Sequence, residues 1–296
     1  MVQNETQKIL IAAAVQNFIL DRRTRGLAPG SIRFYREKLY HFIEHFGNDR
    51  SVLSIGADEL REFILHIQET HNPGGTHGVF RAIHALFYFV ESEYTPNNWH
   101  NPIRKIKAPR NPAPLLDPAP PDVIDALIRA CKYDTEYGAR DRAILLLLQQ
   151  TGMRAAELLS LNVDDVDMIT RTAYIRHGKG DKPRSTFFDR RAKTALNAYL
   201  KVRPQVQTNA LFVSRYGDRM EYNGLRYVII RRAEDAHVVA PSLHSFRRAF
   251  ALDRLRAGVD LITLMRLMGH KSTMVLAQYL KQDDSDLRIA HDKSDR

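Results

Sequence analysis

A single cysteine, Cys131, stands in this chain of 296 residues, so no intrachain disulfide can form and a reducing compartment is expected. Long apolar runs are missing too. The stretch from Ile9 to Leu20 is too short to span a bilayer and is interrupted by Gln16 and Asn17. Ile144–Leu148 is shorter still and reads as a buried helix turn. The chain start lacks the strongly basic lead and cleavage site of a secretory signal, which points to an intracellular protein. No GxxxxGK[ST] loop is present to cradle a nucleotide triphosphate, and no carboxylate cluster suggests a pair of catalytic metal ions. No segment repeats at a fixed longer period.

Positive charge, by contrast, is plentiful. Lys and Arg number 44 against 34 Asp and Glu, a net charge of +10. That balance suits a polyanionic partner such as DNA, RNA or an anionic membrane. Hydrophobic residues make up 44% of the chain, which is ordinary for a globular protein. The length suits roughly two domains, each able to bury a core.

The first domain, 1–108, is predicted to be helical throughout. Apolar periodicity marks helices at 7–24, 30–46, 57–70 and 77–94, separated by Gly26 with Pro29-Gly30, by Gly47-Asn48-Asp49 and by Asn72-Pro73-Gly74-Gly75. In the second helix Tyr35, Leu39, Phe42 and Phe46 form one packing stripe, while Lys38, His41 and His45 form a polar one. Residues 109–120 form a linker rich in proline and preceded by Lys105 and Lys107. Proline at that density stops a helix and favours an extended connection. The linker either tracks a nucleic-acid backbone or is a solvated tether.

The second domain, 121–296, mixes element types. Helices are predicted at 120–131, 139–151, 154–160, 189–202, 222–235, 243–257, 260–268, 272–281 and 283–292. Strands are predicted at 172–176 and 184–188, joined by the polar loop Gly178–Pro183, with a further short strand at Leu211–Ser214. The fold class is therefore mainly α with a small β-sheet.

Six residues carry candidate chemistry, and a seventh, Glu157, supports them. Arg154 in TGMRAAELLSL follows a Thr-Gly turn and opens a helix; a guanidinium grips two phosphate oxygens at once. Glu157, three residues on, shares its helix face and holds it in place. Lys179 sits in the glycine-flanked loop of HGKGDKPR, with Lys182 and Arg184 as nearby rivals. His244 and Arg247 in LHSFRRAF are three apart and project to one side, with Leu243, Phe246 and Phe250 packing opposite. Of twelve histidines, only His244 has an arginine three positions later. His270 lies in the break Gly269-His270-Lys271-Ser272, and Tyr279 follows nine residues later. Each residue alone also fits a surface pair, a solvated loop or ordinary packing. Together they supply cations for a phosphate, an acid for a leaving group and a phenol to attack.

This ordered series resembles the tyrosine recombinase family, which includes phage integrases and the Xer and Cre recombinases. TGMRAAELLSL resembles its first arginine box, HGKGDKPR its lysine hairpin, LHSFRRAF its histidine–x–x–arginine box, and LMGHKSTMVLAQYL the segment leading to the nucleophile. The resemblance covers essentially the whole chain and implies an N-terminal four-helix, SAM-like core-binding domain ahead of an α+β catalytic domain. It implies that Tyr279 attacks the scissile phosphate, leaving a 3′-phosphotyrosyl link and a free 5′-hydroxyl. Arg154 and Arg247 would hold the non-bridging oxygens, Lys179 protonate the departing oxygen, His244 and His270 assist, and Glu157 support the arginine. No cofactor or metal is implied.

The implied partner is double-stranded DNA bearing an inverted-repeat recombination site, gripped by a two-domain clamp. Two protomers per site would pair into a homotetramer and exchange strands through a Holliday junction. The tail after Tyr279, with Leu287 and Ile289, is expected to dock on a neighbouring protomer. The resemblance implies a cytoplasmic, nucleoid-associated protein and no membrane partner. Three other readings compete: a type IB topoisomerase using similar chemistry, a catalytically silent DNA-binding protein, and a zinc protein. The last rests on His41-Phe42-Ile43-Glu44-His45, which matches H-x-x-E-H on a predicted helix.

Overall fold

The computed structural model describes residues 8–94, 98–111, 117–176 and 183–269. The chain divides into two compact units, Met1–Pro114 and Leu115–Arg296. It is mainly helical, with one small antiparallel sheet.

In the first unit, α1 spans Ile11–Thr24, α2 Pro29–Phe46, α3 Ala57–Thr70 and α4 Pro73–Tyr94. Pro29 opens α2, where its fixed φ is already helical and its missing N–H costs nothing. The core is aromatic: Phe18, Phe42, Phe63 and Phe87 are fully buried. Phe42 meets the edges of Phe63 and Phe87 at 5.8 and 5.9 Å between ring centres, the geometry ring quadrupoles favour. The polar stripe of α2 is less solvated than its residue types suggest. The aliphatic stem of Lys38 lies against Gly78 of α4, and the residue is half-buried.

Helix α4 begins earlier than its sequence implies. Asn72-Pro73-Gly74-Gly75 reads as a break, yet the helix starts at Pro73. The Asn72 side chain accepts the Gly75 N–H at 2.8 Å, replacing the bond that a helix start leaves unmade.

The second unit holds α5 Pro121–Arg129, α6 Glu136–Thr151 and α7 Ala155–Ser160. Strands β1 Val166–Asp167, β2 Thr172–Ile175 and β3 Arg184–Phe187 follow. Then come α8 Arg190–Val202, α9 Tyr222–Asp235, α10 Leu243–Arg256 and α11 Leu261–Met268. The strands pair in the order β1-β2-β3, all antiparallel, with Ile175 opposite Arg184. Ala173 and Ile175 point into the core while Tyr174 faces out, the alternation of a sheet covered on one side.

Helix α6 is the central pillar. Ile144 through Leu148 are all buried, and α6 packs on α5, α8 and α10. Near its start Asp141 accepts from two arginines. Arg140 donates at 3.0 and 2.9 Å, and Arg232 of α9 at 3.0 and 2.7 Å. This buried network ties α6 to α9.

The strand expected at Leu211–Ser214 does not form. Its apolar side chains are buried, but only isolated bridges, Asn162 with Ala210 and Val213 with Arg219, stand in this stretch. Arginine side chains serve the carbonyls here. Arg203 Nε donates to the Leu211 carbonyl at 3.4 Å and Arg140 Nη1 to that of Val213 at 3.0 Å, while the Phe212 carbonyl accepts the Met220 N–H. Buried backbone needs partners, and guanidiniums supply them in place of a neighbouring strand.

Candidate active site

The site begins where α6 ends. Gly152 closes that helix in the left-handed region at φ +55°, and a Cβ there would strike the ring of Phe250 on α10. Glycine alone lets the chain reverse so close to α10. Two residues later Arg154 stands at the N-cap of α7 in extended backbone.

Glu157, only 3% exposed, organises what surrounds it. Its Oε2 accepts the Arg154 backbone N–H at 2.8 Å, and its Oε1 accepts Arg154 Nη1 at 2.7 Å. Arg184, the first residue of β3, donates Nη2 to Oε2 at 2.8 Å. Arg247 of α10 brings Nη1 to 4.0 Å from the same oxygen. Among the described residues, three guanidiniums therefore surround one buried carboxylate.

The two arginines singled out in the sequence also hold the end of α11. Arg247 donates to the carbonyls of Gly152 and Met268, and Arg154 Nη2 to that of Gly269 at 3.3 Å. Cations at a helix C-terminus satisfy carbonyls that the helix cannot, and they favour its negative end. Gly269 is left-handed at φ +64° and precedes His270 directly. Arg247 is almost wholly buried at 1% exposed, deeper than a side chain simply projecting into a cleft.

His244 occupies the first turn of α10. The residue is exposed overall, yet partial burial of its imidazole lowers its pKa, and the guanidiniums of Arg248, Arg247 and Arg154 lower it further. The shift favours the neutral ring, the form able to accept a proton. Burial likewise lowers the pKa of Arg184, which Glu157 opposes and Arg154 reinforces.

Arg154, Glu157, His244 and Arg247 thus share one region of the second unit. Lys179, His270 and Tyr279 lie outside the described residues, as do the helices expected at 272–281 and 283–292. Arg184 was legible only as a cation near Lys179. Its partner Glu157 lies 27 residues away, and no local spacing signals that pairing.

The histidines of the H-x-x-E-H pattern face different neighbours. His41 packs edge-on against His71 with ring centres 4.8 Å apart, and His45 lies 5.4 Å from His66. Among the described residues, no three of His, Cys, Asp and Glu group as metal ligands. No helix among the described residues is long and apolar enough to cross a membrane.

The second unit thus joins helices and a three-stranded antiparallel sheet, with three guanidiniums gathered on one carboxylate. The chain belongs to the phage integrase family, which matches residues 119–286. It is 30% identical over 262 residues to tyrosine recombinase XerC of Roseiflexus sp. (strain RS-1), covering 84% of this chain and 82% of that protein. Two solved structures share its fold. One is the XerH site-specific recombinase bound to palindromic difH substrate in a post-cleavage complex, with TM-score 0.73 and 21% identity over 95% of this chain and 84% of that one. The other is a lambda integrase dimer bound to a COC′ core site, with TM-score 0.76 and 14% identity over 95% and 81%.

Proposed function

We propose that this chain is a site-specific DNA recombinase that cuts and rejoins strands through a covalent 3′-phosphotyrosyl intermediate. The observation that carries the reading is the Arg154–Glu157–Arg247 cluster, seated against the Met268-Gly269 turn that leads into His270.

The Tyr279 phenolic oxygen attacks the scissile phosphorus as the bond to the 5′-oxygen breaks. The phenol proton passes to a neighbouring base, His244 or His270, and Lys179 delivers a proton to the departing 5′-oxygen. A phenol with a pKa of about 10 attacks poorly by itself, so it needs the base and the positive surroundings. Arg154 and Arg247 bind the non-bridging oxygens, where charge builds most. Removing one such donor costs on the order of 100-fold in rate. Glu157 keeps Arg154 aligned. Rejoining reverses the step with a 5′-hydroxyl from a second strand. The bond energy stays in the protein–DNA link, so neither ATP nor a metal is required by this chemistry.

Both units would contact duplex DNA bearing an inverted-repeat site, with the helical first unit serving as the core-binding domain. Two protomers would occupy each site and a tetramer form at synapsis. The net charge of +10 supports strongly salt-dependent binding. The protein would act in the cytoplasm, on the nucleoid.

Duplexes bound from a random pool define the site, and two copies of it on one plasmid test the reading. Resolution into two circles through a Holliday junction is expected. Relaxed topoisomers without strand exchange, on plasmids lacking any such site, would favour a type IB topoisomerase instead.

A further inference from the structure

Arg184 makes an expensive arrangement. Its side chain is only 11% exposed, and it meets Glu157 through Nη2 alone at 2.8 Å. Its Nε and Nη1 are buried without a hydrogen-bond partner among the described residues. A guanidinium placed so costs stability, because buried charge is penalised when its donors go unmet. Burial lowers its pKa despite the Glu157 carboxylate. Glu157 already has Arg154 as partner and Arg247 at 4.0 Å, so a further cation is surplus to neutralising that carboxylate.

Arg184 packs directly beneath the turn that closes α11. A Cβ on Gly269 would fall 2.7 Å from Arg184 Nε, so the guanidinium fills the space that a side chain there would need. One end of Arg184 thus touches the carboxylate that aligns Arg154. Its flank supports the turn whose carbonyls bind Arg154 and, one residue earlier, Arg247.

We propose that Arg184 is a positioning residue of the catalytic site, wedged between Glu157 and the Gly269 turn so that Arg154 and Arg247 are set at one fixed separation. This rests on the recombinase reading above. Arg184 itself need not touch DNA. It acts through Glu157 and through the Gly269 turn, and its loss lets Arg154 drift from the scissile phosphate. It stands five residues after Lys179 in sequence and is the first residue of β3.

The test is single-turnover cleavage of a nicked duplex carrying the selected site, by the full chain and by Arg184→Ala, Arg184→Lys and Tyr279→Phe. Each variant is assayed on the ordinary phosphodiester and on a methylphosphonate, in which one non-bridging oxygen and its charge are removed. Arg184→Ala is expected to bind the duplex as the parent does yet cleave the phosphodiester about 100-fold more slowly, the scale of a misplaced catalytic group. On the neutral methylphosphonate the arginines have less charge to stabilise, so most of that deficit should disappear. Arg184→Lys restores a cation without the planar fork and should fall between the two.

Parental cleavage of the phosphodiester by Arg184→Ala overturns the proposal. So does a deficit of equal size on both substrates, which marks a general structural defect. If the alanine variant melts below the assay temperature, the lysine variant decides by the same pair of substrates. Its parental rate on the phosphodiester, or equal losses on both, overturns the proposal as well. An adduct that survives Tyr279→Phe removes the recombinase reading itself. Loss of the adduct in Tyr279→Phe beside a fully active Arg184→Ala removes only the role of Arg184.

Discussion

Glu157 holds Arg154 at two points at once, side chain to side chain at 2.7 Å and carboxylate to backbone N–H at 2.8 Å. The same carboxylate therefore caps α7 and aims the guanidinium that its first residue adjoins. Helix start and guanidinium orientation are thus coupled.

Glu157→Gln tests that coupling. Whichever way the amide turns, its NH2 faces an N–H donor: Arg154 Nη1 on one side, or Arg184 Nη2 and the Arg154 backbone on the other. Unpairing a buried charge costs on the order of 3 kcal/mol, so a clear drop in unfolding free energy is expected. Covalent cleavage should fall while duplex binding persists. Unchanged melting and unchanged cleavage would show that Arg154 is oriented by something else.

Asp141 offers a stability test away from the chemistry. It is 2% exposed and accepts four bonds from Arg140 and Arg232. Asp141→Ala removes these four bonds, leaving Arg140 only the Val213 carbonyl and Arg232 only Asp235 as acceptors among the described residues, and should cost about 3 kcal/mol in denaturant unfolding. A loss under about 1 kcal/mol would mean that the network contributes no more than an exposed pair.

How much of this could be read from residue order depends on the span of the contact. Gly152 was legible as a helix stop because Thr-Gly after an apolar run is a local signal. The Arg154–Glu157 pair was legible because three residues is one helical turn, although the pairing turned out to run through the N-cap as well. The His244–Arg247 spacing gave a shared side but not depth. Arg247 is buried because it reaches Gly152 and Met268, 95 and 21 residues away. Arg184 and Glu157 meet only because β3 returns beside α7. The Leu211–Ser214 stretch carried strand-forming residues, but arginine side chains took the role of a neighbouring strand.

The imidazole of His244 yields a pH prediction. Burial of the ring, then Arg248, Arg247 and Arg154, depress its pKa in the folded protein below the unfolded value of about 6.5. The unfolded chain therefore binds this proton more readily. Stability from this residue is present above about 6.5 and is lost as pH falls toward the folded value. Titration of the His244 ring proton by NMR should give a midpoint below 6.5. A midpoint at or above that value would contradict the assignment.

Cys131 supplies a probe of the second unit's core. It is 1% exposed, and burial pushes its thiol up to about 12. The thiolate is the reactive form, so a disulfide reagent at mildly alkaline pH should not label the native protein and should label one thiol in denaturant. Prompt labelling of the native chain would show that α5 and α9 open readily.

The central claim concerns one oxygen atom. Nicked duplexes of the selected site, in which the cut fragment diffuses away, trap any covalent intermediate for peptide mapping. The account predicts a DNA-linked peptide containing Tyr279 from the parent chain and no adduct from Tyr279→Phe. An adduct formed by the phenylalanine variant, or one mapped to another residue, would contradict it.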